Sequence, residues 1–237
     1  MARTKYNKIQ QISVAIDCVI FGFDSKKLNV LLMRRKINPL KGSWSLIGEV
    51  PDAKTSMDKS ANDILYKLTG LKDVFLSQIK TYGDVNRDPL ERVISIVYYS
   101  LIRIDLLKNI DLENYYNAKW FEFNNLPEII LDHRRMIEDS IEKLRQISKT
   151  EPLGFELLPK LFTLPQLQIL YECIYDTEFD SRNFRKKILS TNFLEKTNRK
   201  DKSSSRKGAY LYSFKQSEIQ KKSNNKNSYN IKDVFQF

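Results

Sequence analysis

Five stretches rich in β-branched and aromatic residues predict β-strands in the first part of the chain. They cover residues 12–23, 28–35, 74–82, 92–104 and 118–123. The polar segments between them carry Gly, Pro, Asn and Asp, which favour turns. Asp17 is the exception inside the first strand, because it places a carboxylate among apolar neighbours. A buried carboxylate needs a partner, so the sequence predicts a polar contact at this position.

Two segments with apolar residues at helical spacing predict helices that cover this sheet. The first begins after Ser56, whose hydroxyl suits an N-cap, and ends at Gly70, which suits a left-handed C-cap. Its apolar stripe is Met57, Ala61, Ile64, Leu65 and Leu68. The second helix is capped by Asp132 and runs to about Ser148. This order of elements predicts an α/β (α+β) fold, a mixed sheet sandwiched by helices.

The C-terminal part has a different pattern. Thr163 and Gln166 form a capping-box sequence at the start of a helix that runs to about Tyr175. A polar turn precedes a second helix, SRNFRKKILS, whose apolar side is Phe184, Ile188 and Leu189. Two strands follow, at 193–197 and 209–214, joined by the basic loop 198–208. Helix, turn, basic helix and β-ribbon form the layout of a winged helix-turn-helix.

Charge strengthens this interpretation. The formal net charge is +11, and residues 182–222 contain 13 Lys or Arg but three Asp or Glu. Such a zone is either a solvated charged face or a nucleic-acid footprint. If it binds DNA, the helix contributes Arg182, Asn183, Arg185, Lys186 and Lys187. The loop contributes Arg199, Lys200, Lys202, Arg206 and Lys207, as a flexible tip that grips phosphates. The domain limits we predict are 1–150, 151–215 and a polar basic tail at 216–237.

Composition narrows the kinds of protein and of functional site that the chain can represent. No apolar run approaches the roughly 20 residues of a membrane helix, and we expect no membrane partner. Cys18 and Cys173 lie in apolar patterns, which predicts two isolated thiols and a reducing, cytoplasmic location. We expect neither a metal site nor a cofactor. His133 is the single histidine, and without an adjacent nucleophile it is expected to have a structural role.

The segment 42–71 resembles the Nudix box, G-x5-E-x7-R-E-U-x-E-E-x-G-U, of enzymes that hydrolyse linked nucleoside diphosphates. The positions that agree are Trp44, Leu46, Gly48, Leu65, Gly70 and Leu71. In the family, three helical glutamates hold the divalent metal, which needs hard oxygen ligands. Their positions here are Ile64, Lys67 and Leu68. The resemblance therefore implies a Nudix fold without catalytic residues, rather than an enzyme.

The string FTLPQLQILYECI…DSRNFRKKIL…FLEKT is similar to the C-terminal domain of the Nudix-related transcriptional regulators. Members of that family pair a Nudix-like effector domain with a winged helix and act as homodimers on DNA operators. The resemblance covers roughly residues 8–215. It implies a ligand-responsive repressor, with double-stranded DNA and a small effector as partners. Two other classes of protein fit the sequence. One is a Nudix hydrolase that carries a nucleic-acid-binding module, and the other is a scaffold protein that uses the Nudix fold for dimer contacts.

The effector is left open by the resemblance, because some relatives respond to ADP-ribose and others to sugars such as L-arabinose. A sugar needs carboxylates and an aromatic platform, and the residues that suit it are Asp17, Trp44, Glu49 and Asp52. A pyrophosphate needs positive charge, which Arg34, Arg35 and Lys67 can provide. We favour the sugar on this basis and place the effector site at Asp17, Arg34, Trp44, Glu49 and Asp52.

Overall fold

The computed structural model describes most of the chain. The described residues are 12–72, 74–107, 110–149, 151, 153, 156–202 and 207–216. The predicted tail from residue 217 onward and the predicted loop residue Arg206 lie outside them.

The N-terminal part forms a mixed sheet with helices. Its strands are β1 (Ser13–Phe23), β2 (Leu28–Arg34), β3 (Trp44–Ser45), β4 (Ile47–Glu49), β5 (Ser77–Tyr82), β6 (Val93–Arg103) and β7 (Ala118–Glu122). Its α-helices are α1 (Met57–Thr69), α2 (Leu112–Tyr116) and α3 (His133–Ser148), and two 3₁₀ turns span Ile104–Leu107 and Phe123–Asn125. The strand order is β3-β2-β1-β6-β5, with β4 also paired to β1 and β7 to β2. β1 and β6 are parallel, and the other pairs are antiparallel.

Strand β1 carries the two faces of the sheet. Alternate residues of a strand point to opposite sides, and Val19, Phe21 and Phe23 pack on the side of α3. The intervening residues, such as Cys18 and Ile20, pack on the side of α1. Both faces are thus covered by helices, which explains why the strand is almost continuously apolar. The predicted sandwich of helices around a mixed sheet is confirmed.

The C-terminal part is a small helical unit closed by three strands. Its elements are β8 (Phe162–Thr163), α4 (Leu164–Tyr175), α5 (Ser181–Ser190), β9 (Leu194–Asp201) and β10 (Ala209–Phe214). The strand order is β8-β10-β9. The apolar cluster on the α3 side of the large sheet continues without a break into α4 and α5. The two parts of the chain therefore share one core.

The helix caps follow the sequence closely. Ser56 accepts a hydrogen bond from the Lys59 N–H, and Gly70 adopts a left-handed φ of 74°. Thr163 and Gln166 form the predicted capping box. Asp132 precedes α3 but makes no side-chain cap. Its carboxylate instead binds Arg87, which stands far away in sequence.

Three sequence expectations need correction in the C-terminal part. The sequence of residues 155–162 predicts a short helical segment, but residues 156–161 form turns and bends. Strand β9 extends to Asp201, so Arg199 and Lys200 lie within the ribbon and not in its tip. Leu189 is 41% exposed and does not belong to the buried side of α5. The ribbon is longer because β10 pairs with β9 on both sides of an irregularity between Tyr210 and Tyr212, with Tyr210 opposite Lys200 and Phe214 opposite Leu194.

Candidate effector pocket and nucleic-acid interface

A groove of about 670 Å³ opens at one end of the large sheet, between three loops. Its lining residues are Leu40, Ser43, Trp44, Pro89, Glu128, Ile129, Ile130 and Leu131. The volume lies in the roughly 300–1,000 Å³ range of small-molecule sites. The segment before α3 is tied to β3 by the Ile130 N–H, which donates to the Trp44 carbonyl over 3.0 Å. The walls of the groove are therefore held by backbone bonds as well as side chains.

Trp44 forms part of the groove lining, and Arg34 packs against its ring. The Arg34 guanidinium lies 4.4 Å from the centre of the Trp44 ring, a distance typical of a cation–π contact. Arg34 also donates to the Gly42 carbonyl over 2.7 Å. The ring of Phe121 meets Trp44 edge-on, with centroids 4.7 Å apart. A positive charge is thus fixed against one face of the Trp44 ring.

Asp17 does not reach the groove. It is 6% exposed, and its carboxylate accepts a hydrogen bond from the Ser95 hydroxyl. The Nε2 atom of His133 lies 3.8 Å from the other carboxylate oxygen. His133 Nδ1 accepts from the Leu46 N–H over 3.1 Å, so the proton of the neutral ring stands on Nε2, toward Asp17. Asp17 has the polar partner that its position required, and His133 ties α3 to the β3–β4 segment.

Glu49 and Asp52 are engaged outside the groove. Glu49 forms an ion pair with Lys67 at 2.7 Å, which connects the end of β4 to α1. Asp52 accepts a hydrogen bond from the Lys54 N–H over 2.6 Å and closes a local turn. Of the five residues predicted for the effector, Trp44 lines the groove and Arg34 stacks on it. The structure does not bring Asp17, Glu49 and Asp52 to its lining.

The helical metal positions of the Nudix box have no oxygen ligands. Ile64 is buried against the sheet, and Leu68 is partly buried beside it. Lys67 is directed to Glu49. Within the described part of the chain, no three His, Cys, Asp or Glu side chains lie close enough together to hold a metal ion. Burial raises the pKa of both the Cys18 and the Cys173 thiol, which disfavours the reactive thiolate form.

A buried ion pair beside the groove was missed by the sequence analysis. Arg87 donates from Nε and Nη2 to both carboxylate oxygens of Asp132, over 3.0 and 2.8 Å. The exposed fractions of the two side chains are 3% and 18%. The pair joins the loop that contains Pro89 to the start of α3. Sequence alone gave no signal for it beyond an arginine in a polar loop.

The exposed side of α5 is strongly basic. Phe184 and Ile188 are the buried residues of this helix. At about 100° per residue, the direction opposite to them falls on Arg182 and Lys186, and both are exposed. Asn183 lies beside this strip, next to a groove formed with the preceding turn. Lys187, half-buried, lines the same groove.

Arg185 lies on the other flank of α5, toward the ribbon. It shares a small cavity with Gly208, Tyr210 and Tyr212. On the ribbon itself, the Lys196 and Lys200 ammonium groups lie 3.7 and 4.6 Å from the centre of the Tyr210 ring. Lys196 was missed by the sequence analysis, because its strand position hid which side it faces. Lys202 and Lys207 are exposed at the two ends of the tip.

Comparisons with known proteins agree with this architecture. Residues 154–214 match the family model described as the NrtR DNA-binding winged helix domain. The chain is 26% identical over 205 residues to the ADPR responsive transcriptional repressor NtrR of Acinetobacter baylyi, and this match covers 85% of this chain and 81% of that protein. It is 32% identical over 136 residues to the ADP-ribose pyrophosphatase of Methanocaldococcus jannaschii, and this match covers 57% of this chain and 76% of that enzyme.

A solved structure extends the agreement to both parts of the chain. The crystal structure of Shewanella oneidensis NrtR complexed with a 27mer DNA has a TM-score of 0.74 and 26% identity, covering 85% of this chain and 93% of that chain. Across the described residues, no helix combines the length and the apolar character of a membrane span. The winged-helix match, the relative that matches over most of its length and the shared two-part architecture show that this chain belongs to the family of Nudix-related transcriptional regulators.

Proposed function

We propose that this protein is a repressor that binds double-stranded DNA as a homodimer and releases it when an ADP-ribose-type nucleotide occupies the groove beside Trp44. The observation that carries the proposal is the pairing of that groove with a basic, exposed α5 in one shared core. Family membership supports the same pairing of effector and DNA functions. A two-fold dimer suits an operator with two half-sites spaced by about one DNA turn.

The DNA-binding role rests on the chemistry of α5 and the ribbon. A helix with its apolar residues on one side can lay its other side in the major groove. Arg182 and Lys186 are positioned on that outer side, and Asn183 can pair with an adenine edge. The DNA phosphates beside the major groove suit the lysines of the ribbon, which are Lys196, Lys200 and the lysines of the tip. Such phosphate contacts set the register of the protein on the duplex but carry no sequence information.

The nucleotide replaces the sugar favoured from sequence. The three carboxylates that were predicted to bind the sugar already bind protein groups: Asp17 binds Ser95, Glu49 binds Lys67, and Asp52 binds the backbone. The groove instead has Trp44 and Glu128 in its lining, and the Arg34 guanidinium lies against the Trp44 ring. These groups match a base, ribose hydroxyls and a diphosphate, respectively. The relative from Acinetobacter, whose name describes an ADPR responsive repressor, supports the same choice.

Helix α3 is the element that we propose to connect the two sites. Its first residue binds the Leu46 N–H near the groove, and the preceding Asp132 binds Arg87. Its 16 residues span about 24 Å. Near its other end, Arg145 donates to the Ile174 carbonyl of α4 over 2.8 Å. A ligand that shifts the groove walls can therefore move α4, and with it α5, as one packed body.

We propose no hydrolase activity for this chain. Nudix chemistry uses metal to polarise a pyrophosphate and activate water, and Ile64, Lys67 and Leu68 provide no ligand for it. The similarity to an ADP-ribose pyrophosphatase makes residual hydrolysis the alternative to test. Incubation of the full chain with ADP-ribose and Mg²⁺, followed by separation of the products, distinguishes the two. Turnover well above a no-enzyme blank would favour the enzyme.

The experiment that tests the proposed function is a DNA-binding titration with competing effectors. Oligonucleotide duplexes selected from a random library are bound by the full chain, and fluorescence anisotropy is recorded as ADP-ribose or L-arabinose is added. We expect ADP-ribose to release the DNA and L-arabinose to leave it bound. A Trp44→Ala variant should bind DNA normally and respond poorly to ADP-ribose. Release by L-arabinose alone would restore the sugar hypothesis.

A further inference from the structure

One exposed leucine on α5 has no structural role that the fold explains. Leu189 is 41% exposed, although it follows Ile188, which is 1% exposed. Among the described residues it belongs to neither of the two hydrophobic clusters. An isolated exposed leucine is ordinary on a protein surface, but this one lies on a helix whose other exposed residues are all polar or charged.

The position of Leu189 on the helix places it in line with the basic strip. Residues at i, i+4 and i+7 lie on the same side of a helix. Arg182, Lys186 and Leu189 have this spacing, and all three are exposed. Arg185, four residues before Leu189, is exposed next to the same strip. A duplex that meets Arg182 and Lys186 would therefore also meet the Leu189 side chain.

We propose that Leu189 contacts the C5-methyl group of a thymine in the major groove and sets sequence preference at that base. This inference rests on the proposed DNA-binding function and deepens it. The thymine methyl is the apolar group on the base edges of the major groove, and apolar side chains are its natural contacts. Arginine and lysine recognise guanine edges by hydrogen bonds, whereas Leu189 can neither donate nor accept one. Its contribution must come from burial of methyl and methylene groups.

The test removes the two contact partners separately. A duplex selected by the full-length protein is resynthesised with each thymine replaced in turn by deoxyuridine, which lacks only the C5-methyl. Dissociation constants are measured by fluorescence anisotropy for the unmodified protein, for Leu189→Ala and for Leu106→Ala. Leu106 is a matched control, because it is 67% exposed and lies in the N-terminal part.

We expect deoxyuridine at one position to weaken DNA binding by the unmodified protein about fourfold, which is the effect of one buried methyl group. Leu189→Ala should lose affinity for the thymine duplex and lose its response to deoxyuridine at that position. Leu106→Ala should keep the response, and Leu189→Met should keep part of it. Full sensitivity to deoxyuridine in Leu189→Ala, or no sensitive thymine in the unmodified protein, would overturn the inference while leaving DNA binding intact. Failure to select any duplex would instead overturn the proposed function, and this inference with it.

Discussion

Breaking the Arg87–Asp132 pair should cost far more stability than breaking a second ion pair that joins the same two elements. Arg135 on α3 binds Asp84 in the same loop at 3.2 Å, but those side chains are 60% and 75% exposed. The buried pair is bidentate, and its members are 3% and 18% exposed. The two pairs share their location and differ mainly in burial, so they form a matched comparison.

The magnitude follows from what each variant leaves behind. Arg87→Ala leaves the Asp132 carboxylate without its partner, and removing one member of a buried pair costs about 3–5 kcal/mol. Because Asp132 retains some water, we expect about 3 kcal/mol, which corresponds to a fall of about 6–12 °C in Tm for a chain of this size. Arg135→Ala should cost about 0.5 kcal/mol or less, as exposed pairs do.

Urea unfolding followed by tryptophan fluorescence measures both variants, and the double variant Arg87→Met with Asp132→Asn serves as a third. Removing both charges should recover most of the stability that Arg87→Ala loses, because no uncompensated charge stays buried. Equal effects of Arg87→Ala and Arg135→Ala would refute the argument from burial. A double variant as unstable as the sum of its single variants would also refute it.

Three further predictions concern DNA binding, the Asp17 site and catalysis. Arg182→Ala should reduce discrimination between DNA sequences by about 1–3 kcal/mol, whereas Lys196→Ala should weaken all sequences alike and lower the salt dependence by about one counterion; anisotropy titrations over a KCl series separate these outcomes. Gly48→Ala should lower Tm in a thermal melt, because the added Cβ would lie 2.3 Å from Asp17 Oδ1 and 2.6 Å from the Ile16 carbonyl. A Gly48→Ala protein as stable as the original would contradict that geometry. Mg²⁺-dependent hydrolysis of ADP-ribose should stay at the level of a no-enzyme blank, since the helical metal positions of the Nudix box lack carboxylates.

Local signals in the sequence predicted the parts of the fold that local chemistry determines. Ser56, Gly70 and Thr163 mark helix ends because their side chain or missing Cβ satisfies the free backbone groups there. Asp17 was expected to have a polar partner because a buried carboxylate is costly without one. The identity of that partner was not predictable, since Ser95 and His133 stand on elements distant in sequence.

The sequence predictions were wrong where contacts between distant elements of the chain determine the structure. Asp132 was expected to cap α3, and its carboxylate binds Arg87 instead, because a buried bidentate partner outweighs a local cap. Leu189 was assigned to the apolar side of α5 because it adjoins Ile188. Which side of that helix is buried depends on its contacts with α4 and the ribbon, and these are not encoded in the helix alone. Glu49 and Asp52 were predicted for the effector site from residue type alone. In the structure Glu49 forms an ion pair with Lys67, and Asp52 accepts a hydrogen bond from the Lys54 N–H.

The most direct test of the account is a titration of ADP-ribose with and without operator DNA. Thermodynamic linkage requires that a ligand which releases DNA must itself bind more weakly to the DNA complex, and by the same factor. Isothermal calorimetry of the full chain, free and saturated with a selected duplex, measures both affinities. We predict about 5- to 150-fold weaker ADP-ribose binding in the complex, the usual span of such coupling. Equal affinities in the two titrations would contradict the account and leave the Nudix-like part as a passive platform.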